Sequence, residues 1–170
     1  AALSAPAIYF YIVIYALTNV GAFGVVNAIA SRVGGDDFEH FSGAARRAPF
    51  LSLLMLIFML SLAGVPPLAG FFGKFYLFAA AVQADPQGLG LLWLVAFAIM
   101  MSAVSLYYYL RVAKQMYVLP ATDSQRIPAC ATTNLMLGLV GLVVVLLGIF
   151  PSSMINTLKH LNDQPDPVWT

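Results

Sequence analysis

The stretch Ser61-Leu62-Ala63-Gly64-Val65-Pro66-Pro67-Leu68-Ala69-Gly70-Phe71-Phe72-Gly73-Lys74 decides how this chain folds. Its prolines and glycines interrupt an apolar helical pattern. Proline lacks the N–H that continues a helix, so Pro66 and Pro67 leave upstream carbonyls without helical partners. The pattern predicts two half-helices, near Pro49–Leu62 and Leu68–Gln83. The break between them is marked by Gly64, Pro66, Pro67 and Gly70. Just after it comes Lys74, the only charged residue from Ala48 to Ala84.

Outward from this stretch the chain is 61% hydrophobic and 9% charged, with a mean hydropathy of +0.88. Soluble domains carry about 25% charged residues. The composition is therefore that of an integral membrane protein in contact with the lipid bilayer. Net charge is +1, and the basic residues are scattered without aromatic interleaving. No nucleic-acid partner is expected. Cys130 is the single cysteine, so this chain alone can build neither an iron–sulfur cluster nor a thiolate zinc site. His40 and His160 stand far apart in polar segments, and no metal centre is expected. No nucleotide-binding glycine motif occurs, and no cofactor is expected within this chain.

Spanning about 30 Å of hydrocarbon takes ~20 helical residues. Three apolar runs fit one crossing each, with helices near Ile8–Ile29, Leu89–Leu110 and Leu135–Phe150. The run 48–84 would measure ~55 Å as one straight helix, which suits neither one straight crossing nor two. The bias of Lys and Arg toward one side of the membrane separates the choices. With one broken crossing, Arg32, Arg46, Arg47, Arg111, Lys114 and Arg126 share a side and only Lys159 opposes them. With two crossings the basic residues divide almost evenly. The single broken crossing is preferred, and the basic side is then cytoplasmic. The expected fold is all-α, a polytopic transmembrane bundle of about four helices, one of them broken at Gly64–Gly70. Residues 1–158 form the transmembrane domain and 159–170 a polar tail. Asp85–Gly88 reads as a tight polar turn. The opening Ala-Ala-Leu-Ser-Ala-Pro does not begin like a secretory signal, and the chain reads as the C-terminal portion of something longer.

Lys74 lies ~16 Å of helix before Asp85, which sets it near the bilayer midplane. An ionisable residue at that depth is costly and is a functional-site hypothesis by default. Burial disfavours the charged form of an amine, so a lysine held there can take up and release a proton. The N-terminal end of the second half-helix would also disfavour a positive charge nearby. A proton relay needs further polar stations. Thr18, Asn19, Ser61, Tyr76, Ser105 and Tyr108 are the candidates for a polar path, with Asn27, Ser52, Ser102, Tyr107 and Tyr109 also inside the spans. Serine and threonine in membrane helices more often serve close packing, and the Tyr107–Tyr109 triple suits an interfacial aromatic belt. No second acid or base stands within the spans, so a complete transmembrane relay needs groups from elsewhere.

The segment from Arg46-Arg47-Ala48-Pro49 to Phe78 resembles the antiporter-like subunits of respiratory complex I, and among them the subunit N group. It carries the pattern Ser-Leu-Ala-Gly-x-Pro-Pro followed by Gly-Phe-x-Gly-Lys-Phe. Tyr15-Ala16-Leu17-Thr18-Asn19-Val20-Gly21-Ala22-Phe23-Gly24 is similar to the family's span before the broken helix. Leu106-Tyr107-Tyr108-Tyr109-Leu110-Arg111-Val112 is similar to the end of the span after it. The resemblance implies the last four helices of a subunit of about fourteen. Lys74 then matches the family's lysine on its second broken helix.

It further implies partners: the remainder of the same subunit and the other membrane-arm subunits of complex I. NADH, flavin, iron–sulfur clusters and quinone would belong to those partner chains. The expected location is a bacterial inner membrane, crossed several times. The expected function is proton translocation coupled to NADH:quinone oxidoreduction, with Lys74 as a proton station. A cation/proton antiporter subunit and a structural membrane scaffold are the alternatives.

Overall fold

The computed structural model describes residues 4–84, 89–121, 125–128, 130 and 131–152. The expected Asp85–Gly88 turn and the polar tail 159–170 lie outside them. All the described elements are helical. They are α1 (Ser4–Val33), a 3-10 turn at Phe38–Phe41, the short α2 (Ala44–Arg47), α3 (Pro49–Ala63), α4 (Ala69–Ala84), α5 (Leu89–Tyr117) and α6 (Ala131–Ile149). Helices α1, α5 and α6 are each long and apolar enough to cross a membrane.

The break falls where the sequence places it. Pro49 opens α3 at its first position, where its missing N–H costs nothing. Gly64 closes α3 with φ at 85°, a left-handed conformation that disfavours any residue with a Cβ. The Gly64 N–H donates to the Ser61 carbonyl at 3.0 Å and the Val65 N–H to the Leu60 carbonyl at 3.0 Å. This pair of reversed bonds stops the helix and satisfies two of its terminal carbonyls. The second half begins at Ala69.

Helix α5 runs on to Tyr117, past the expected end at Leu110; α1 extends beyond both of its expected ends, and α6 starts four residues before the expected Leu135 and stops at Ile149. Arg111, Lys114, Gln115 and Met116 are good helix formers. Leaving the hydrocarbon gives such residues no reason to unwind.

Contacts at the basic end show which connecting segments share it. The Gly43 N–H donates to the Gln115 carbonyl at 3.2 Å, and the Gln115 side-chain amide donates to Ser42 Oγ at 2.6 Å. The Ile127 N–H donates to the Arg47 carbonyl at 3.0 Å, and Arg47 Nε to the Gln125 carbonyl at 3.2 Å. The segment joining α1 to α3 therefore shares one end of the bundle with the segment joining α5 to α6. Ala84 is only five Cα steps from Leu89, at most ~18 Å, whereas α5, with 29 residues, is ~44 Å long. So α4 ends near the start of α5, at the opposite end. The pair α3–α4 starts at the basic end and finishes at the other, so the two half-helices together run the length of the bundle once.

Helix α1 packs against α3, α4 and α6, while α5 lies against α3 and α4. Lipid tails are as apolar as leucine, so such helices are held by close packing rather than by hydrophobic burial. The fully buried Phe58 of α3 seats its ring against Gly21 of α1, and Leu137 of α6 seats its side chain against Gly24. Those two glycines let α3 and α6 approach α1 closely.

Candidate functional site around Lys74

Helix α3 ends with two carbonyls unclaimed. In an uninterrupted helix the Leu62 and Ala63 carbonyls would accept from the N–H groups of residues 66 and 67. Both of those residues are proline and have none. Lys74, one turn inside α4, reaches back across the break to the same two carbonyls. Its Nζ donates to the Leu62 carbonyl at 3.0 Å and to the Ala63 carbonyl at 3.3 Å. A third bond goes to Ser102 Oγ of α5 at 2.6 Å. An ammonium has three N–H donors, and all three are used.

The surrounding residues hold this arrangement. The Gly70 N–H, in the first turn of α4, donates to Ser61 Oγ at 3.2 Å. Ser61 thus caps α4 from the end of α3. Gly70 comes so close to the Ser61 carbonyl that an added Cβ would collide with backbone. A Cβ on Gly64 would stand 3.2 Å from Lys74 Cδ. The glycines of the break therefore shape the seat of the lysine as well as the turn.

The electrostatics differ in one respect from the reading of the sequence. The amine sits on the last carbonyls of α3. A helix C-terminus carries partial negative charge and favours a nearby cation. Ser102 lies near the middle of α5, between its ends at Leu89 and Tyr117, so the amine sits at mid-depth of the bundle. Among the described residues no carboxylate pairs with it.

Two cavities flank the amine. One, of about 330 Å³, is lined by Lys74, Ser102 and Ser105 together with Tyr11, Tyr15 and Tyr109, closed by Leu62, Leu77, Phe78, Ala98 and Met101. The other, of about 280 Å³, is apolar apart from Lys74 and Ser102. Its walls include Phe71, Phe75, Ile99 and Leu106. Tyr11 and Tyr15 stack with ring centroids 5.8 Å apart.

The other expected path residues are placed as follows. Ser105 lines the polar cavity and donates to its own helix, to the Met101 carbonyl at 3.0 Å. Thr18 is buried and donates to the Ile14 carbonyl at 2.6 Å, and the Asn19 amide donates to the Tyr15 carbonyl at 2.7 Å. Tyr76 packs edge-on against Phe10 at 6.0 Å. Tyr108 is exposed and lines neither cavity. The cavity gains Tyr11 and Tyr15, which no sequence signal separated from the other aromatic residues of α1.

Comparison with known proteins identifies the family. Residues 1–103 match the transmembrane family model described as NADH:quinone oxidoreductase/Mrp antiporter. The chain belongs to that family.

Curated relatives of this antiporter family are named NADH-quinone oxidoreductase subunit N. One, the subunit N 2 of Acidobacterium capsulatum, is 46% identical over 157 residues, covering 92% of this chain and 31% of the relative. Another, the subunit N 1 of Roseiflexus castenholzii, is 42% identical over 153 residues, covering 90% of this chain and 27% of the relative. Respiratory complex I from Thermus thermophilus, solved with bound aureothin, contains a chain similar at a TM-score of 0.71 and 32% identity. That match covers 92% of this chain and 36% of the solved one. A chain of the membrane-bound sulfane sulfur reductase, an archaeal respiratory membrane complex, is similar at a TM-score of 0.81 and 25% identity, covering 95% of this chain and 32% of that one. This chain thus spans about a third of the length of the curated relatives it matches. As a member of this antiporter family, it is a multi-pass membrane protein.

Proposed function

We propose that this chain is the lysine-bearing C-terminal part of a proton-translocating membrane-arm subunit of NADH:quinone oxidoreductase. Lys74 is its mid-membrane proton station. The observation that carries this reading is the three-bonded Lys74 amine on the freed carbonyls of a broken helix. A lysine there exchanges a proton without unfolding anything, because the break remains tied by Ser61 and Gly70. The names of the relatives supply the reaction. Subunit N belongs to an oxidoreductase that passes electrons from NADH to quinone.

In this reading the chain carries no redox chemistry. NADH, flavin, iron–sulfur clusters and quinone are held by partner subunits, and the rest of the subunit, with the other membrane-arm subunits, supplies the rest of the proton path. The complex sits in a bacterial inner membrane with the basic end of the bundle cytoplasmic, an orientation supported by the clustering of Arg32, Arg46, Arg47, Arg111, Lys114 and Arg126. The family model's description also names antiporters, so exchange of a cation for protons is the second reading.

Inverted membrane vesicles holding the assembled complex separate the two. NADH should acidify the vesicle interior, and the acidification should stop with a quinone-site inhibitor. Pulses of sodium or potassium onto pre-acidified vesicles should release no protons. Cation-driven proton release with no response to NADH would establish the antiporter reading instead.

A further inference from the structure

Ser102 uses its hydroxyl differently from Thr18 and Ser105. Thr18 and Ser105 each donate back to a carbonyl of their own helix, four residues earlier. This is the usual way a hydroxyl is satisfied inside a membrane helix. Ser102 makes no such bond. Its Oγ accepts from Lys74 at 2.6 Å, and its hydroxyl hydrogen stays free to turn into the polar cavity that Ser102 lines.

The count of donors and acceptors around the amine changes when it loses a proton. The ammonium has three N–H donors for three acceptors: the Leu62 carbonyl, the Ala63 carbonyl and Ser102 Oγ. The neutral amine has two N–H donors and one lone pair. The carbonyls can only accept. Ser102 is the one partner of the three that can reverse its role, since a hydroxyl both donates and accepts. It can therefore face either charge state of Lys74 without leaving a buried group unpaired.

We propose that Ser102 is the proton-transfer partner of Lys74, passing its proton to and from water in the tyrosine-walled cavity. The proposal rests on the reading of Lys74 as a proton station and adds the atom through which the proton leaves. In the outward step the Nζ–H bond breaks and a new bond forms at Ser102 Oγ. The Oγ–H bond that pointed into the cavity breaks in concert, and its proton joins a water molecule. The positive charge moves from Nζ to that water, and no electron changes hands. The remaining Oγ–H then donates to the Nζ lone pair, while both N–H groups stay on the Leu62 and Ala63 carbonyls. The return step runs through the same atoms in reverse.

The direction of the path follows from the cavity walls. From Ser102, Ser105 and Tyr109 lie one and two turns further along α5, toward its C-terminal, basic end. Tyr11 and Tyr15 face them from α1, which climbs toward the same end. The titratable groups facing the amine are these phenols: Tyr11 and Tyr15 from α1 and Tyr109 from α5. Helix α3 offers only backbone carbonyls. The second cavity has no polar side chain beyond Lys74 and Ser102, so protons are carried on the tyrosine side.

The test compares Ser102→Thr with Ser102→Val in the assembled complex. The two side chains have the same shape, and only threonine keeps the hydroxyl. Ser102→Ala controls for added bulk, and Lys74→Ala is measured alongside. Proton pumping per unit of complex should persist in Ser102→Thr. In Ser102→Val and Ser102→Ala it should fall about tenfold or more, the smaller side of what a positioned proton-transfer group contributes. The solvent deuterium isotope effect on the residual rate should rise in both, because proton transfer becomes limiting. A merely structural serine would leave that effect unchanged. Wild-type pumping in Ser102→Ala, with Lys74→Ala inactive, would overturn the role of Ser102 and leave the proton station standing. Wild-type pumping in Lys74→Ala would remove both.

Discussion

The Lys74 amine donates to the Ala63 carbonyl at 3.3 Å, the carbonyl that Pro67 would have served had it carried an N–H. The lysine therefore stands in for a helical donor that the sequence removed, and the break in the helix and its charge are one device. Pro66 and Pro67 create acceptors, Gly64 and Gly70 let the chain fold back beside them, and α4 carries the donor into place.

Gly70→Ala is expected to damage this device most. Its Cβ would meet the Ser61 carbonyl, and forced overpacking costs typically ~1–3 kcal/mol. Steady-state complex content in membranes should fall, and any remaining complex should lose thermal stability. Complex of wild-type content and melting temperature would show that α3 and α4 are not pressed together at this point.

Gly64→Ala is expected to act on two levels. Its φ of 85° makes a left-handed alanine cost ~1–2 kcal/mol. The added methyl would also press on Lys74 Cδ. Pumping should therefore fall by more than complex content does. The two quantities measured on the same membranes check this, and equal losses would mean that Gly64 serves the turn alone.

Ser61→Ala should remove the cap on the first turn of α4, at a cost of ~1 kcal/mol. Ser61→Thr keeps the hydroxyl and should recover most of the loss. Thermal melting of the detergent-solubilised complex reads the difference. Equal melting of the two variants would assign the Gly70 N–H another partner.

Much of this was legible in the sequence. The prolines and glycines of 64–70 announce the break because they act locally, through missing donors and left-handed backbone. The arginines pointed to the loops before α3 and after α5 sharing one end, and the bonds joining Gly43 to Gln115 and Arg47 to Ile127 put them there. The reach of α5 to Tyr117 was not, since apolar runs mark the hydrocarbon and not the helix. Nor was the choice of Ser102 from among the hydroxyls. That depends on which face of α5 meets α4, and a helix exposed along most of its length leaves no clear apolar stripe from which to read it. The turning of the Lys74 amine onto α3 is a three-dimensional fact, because a lysine one turn inside a helix can reach in several directions.

Cys130 offers a probe of topology. It is exposed, just before α6. Hydrogen bonds from the Thr132 and Thr133 backbone N–H groups, Thr132 first, hold its thiol below the usual value. The thiolate is the reactive form, so alkylation should remain fast at a pH where a free thiol has slowed. A membrane-impermeant maleimide should reach Cys130 from the same side as a cysteine placed at Glu39. Labelling of the two from opposite sides would contradict the single broken crossing.

The most direct measurement is of Lys74 itself. NADH-driven proton pumping and NADH:quinone oxidoreduction are measured on membranes bearing Lys74→Ala or Lys74→Arg, each normalised to separately determined complex content. Alanine has no titrating group. Arginine stays protonated at any working pH, so it can bind the carbonyls of Leu62 and Ala63 but cannot release a proton. The account predicts assembled complex in both variants, with most of the pumping lost in both and no full rescue by arginine. Wild-type pumping in Lys74→Ala at equal complex content, or full rescue by Lys74→Arg, would contradict it.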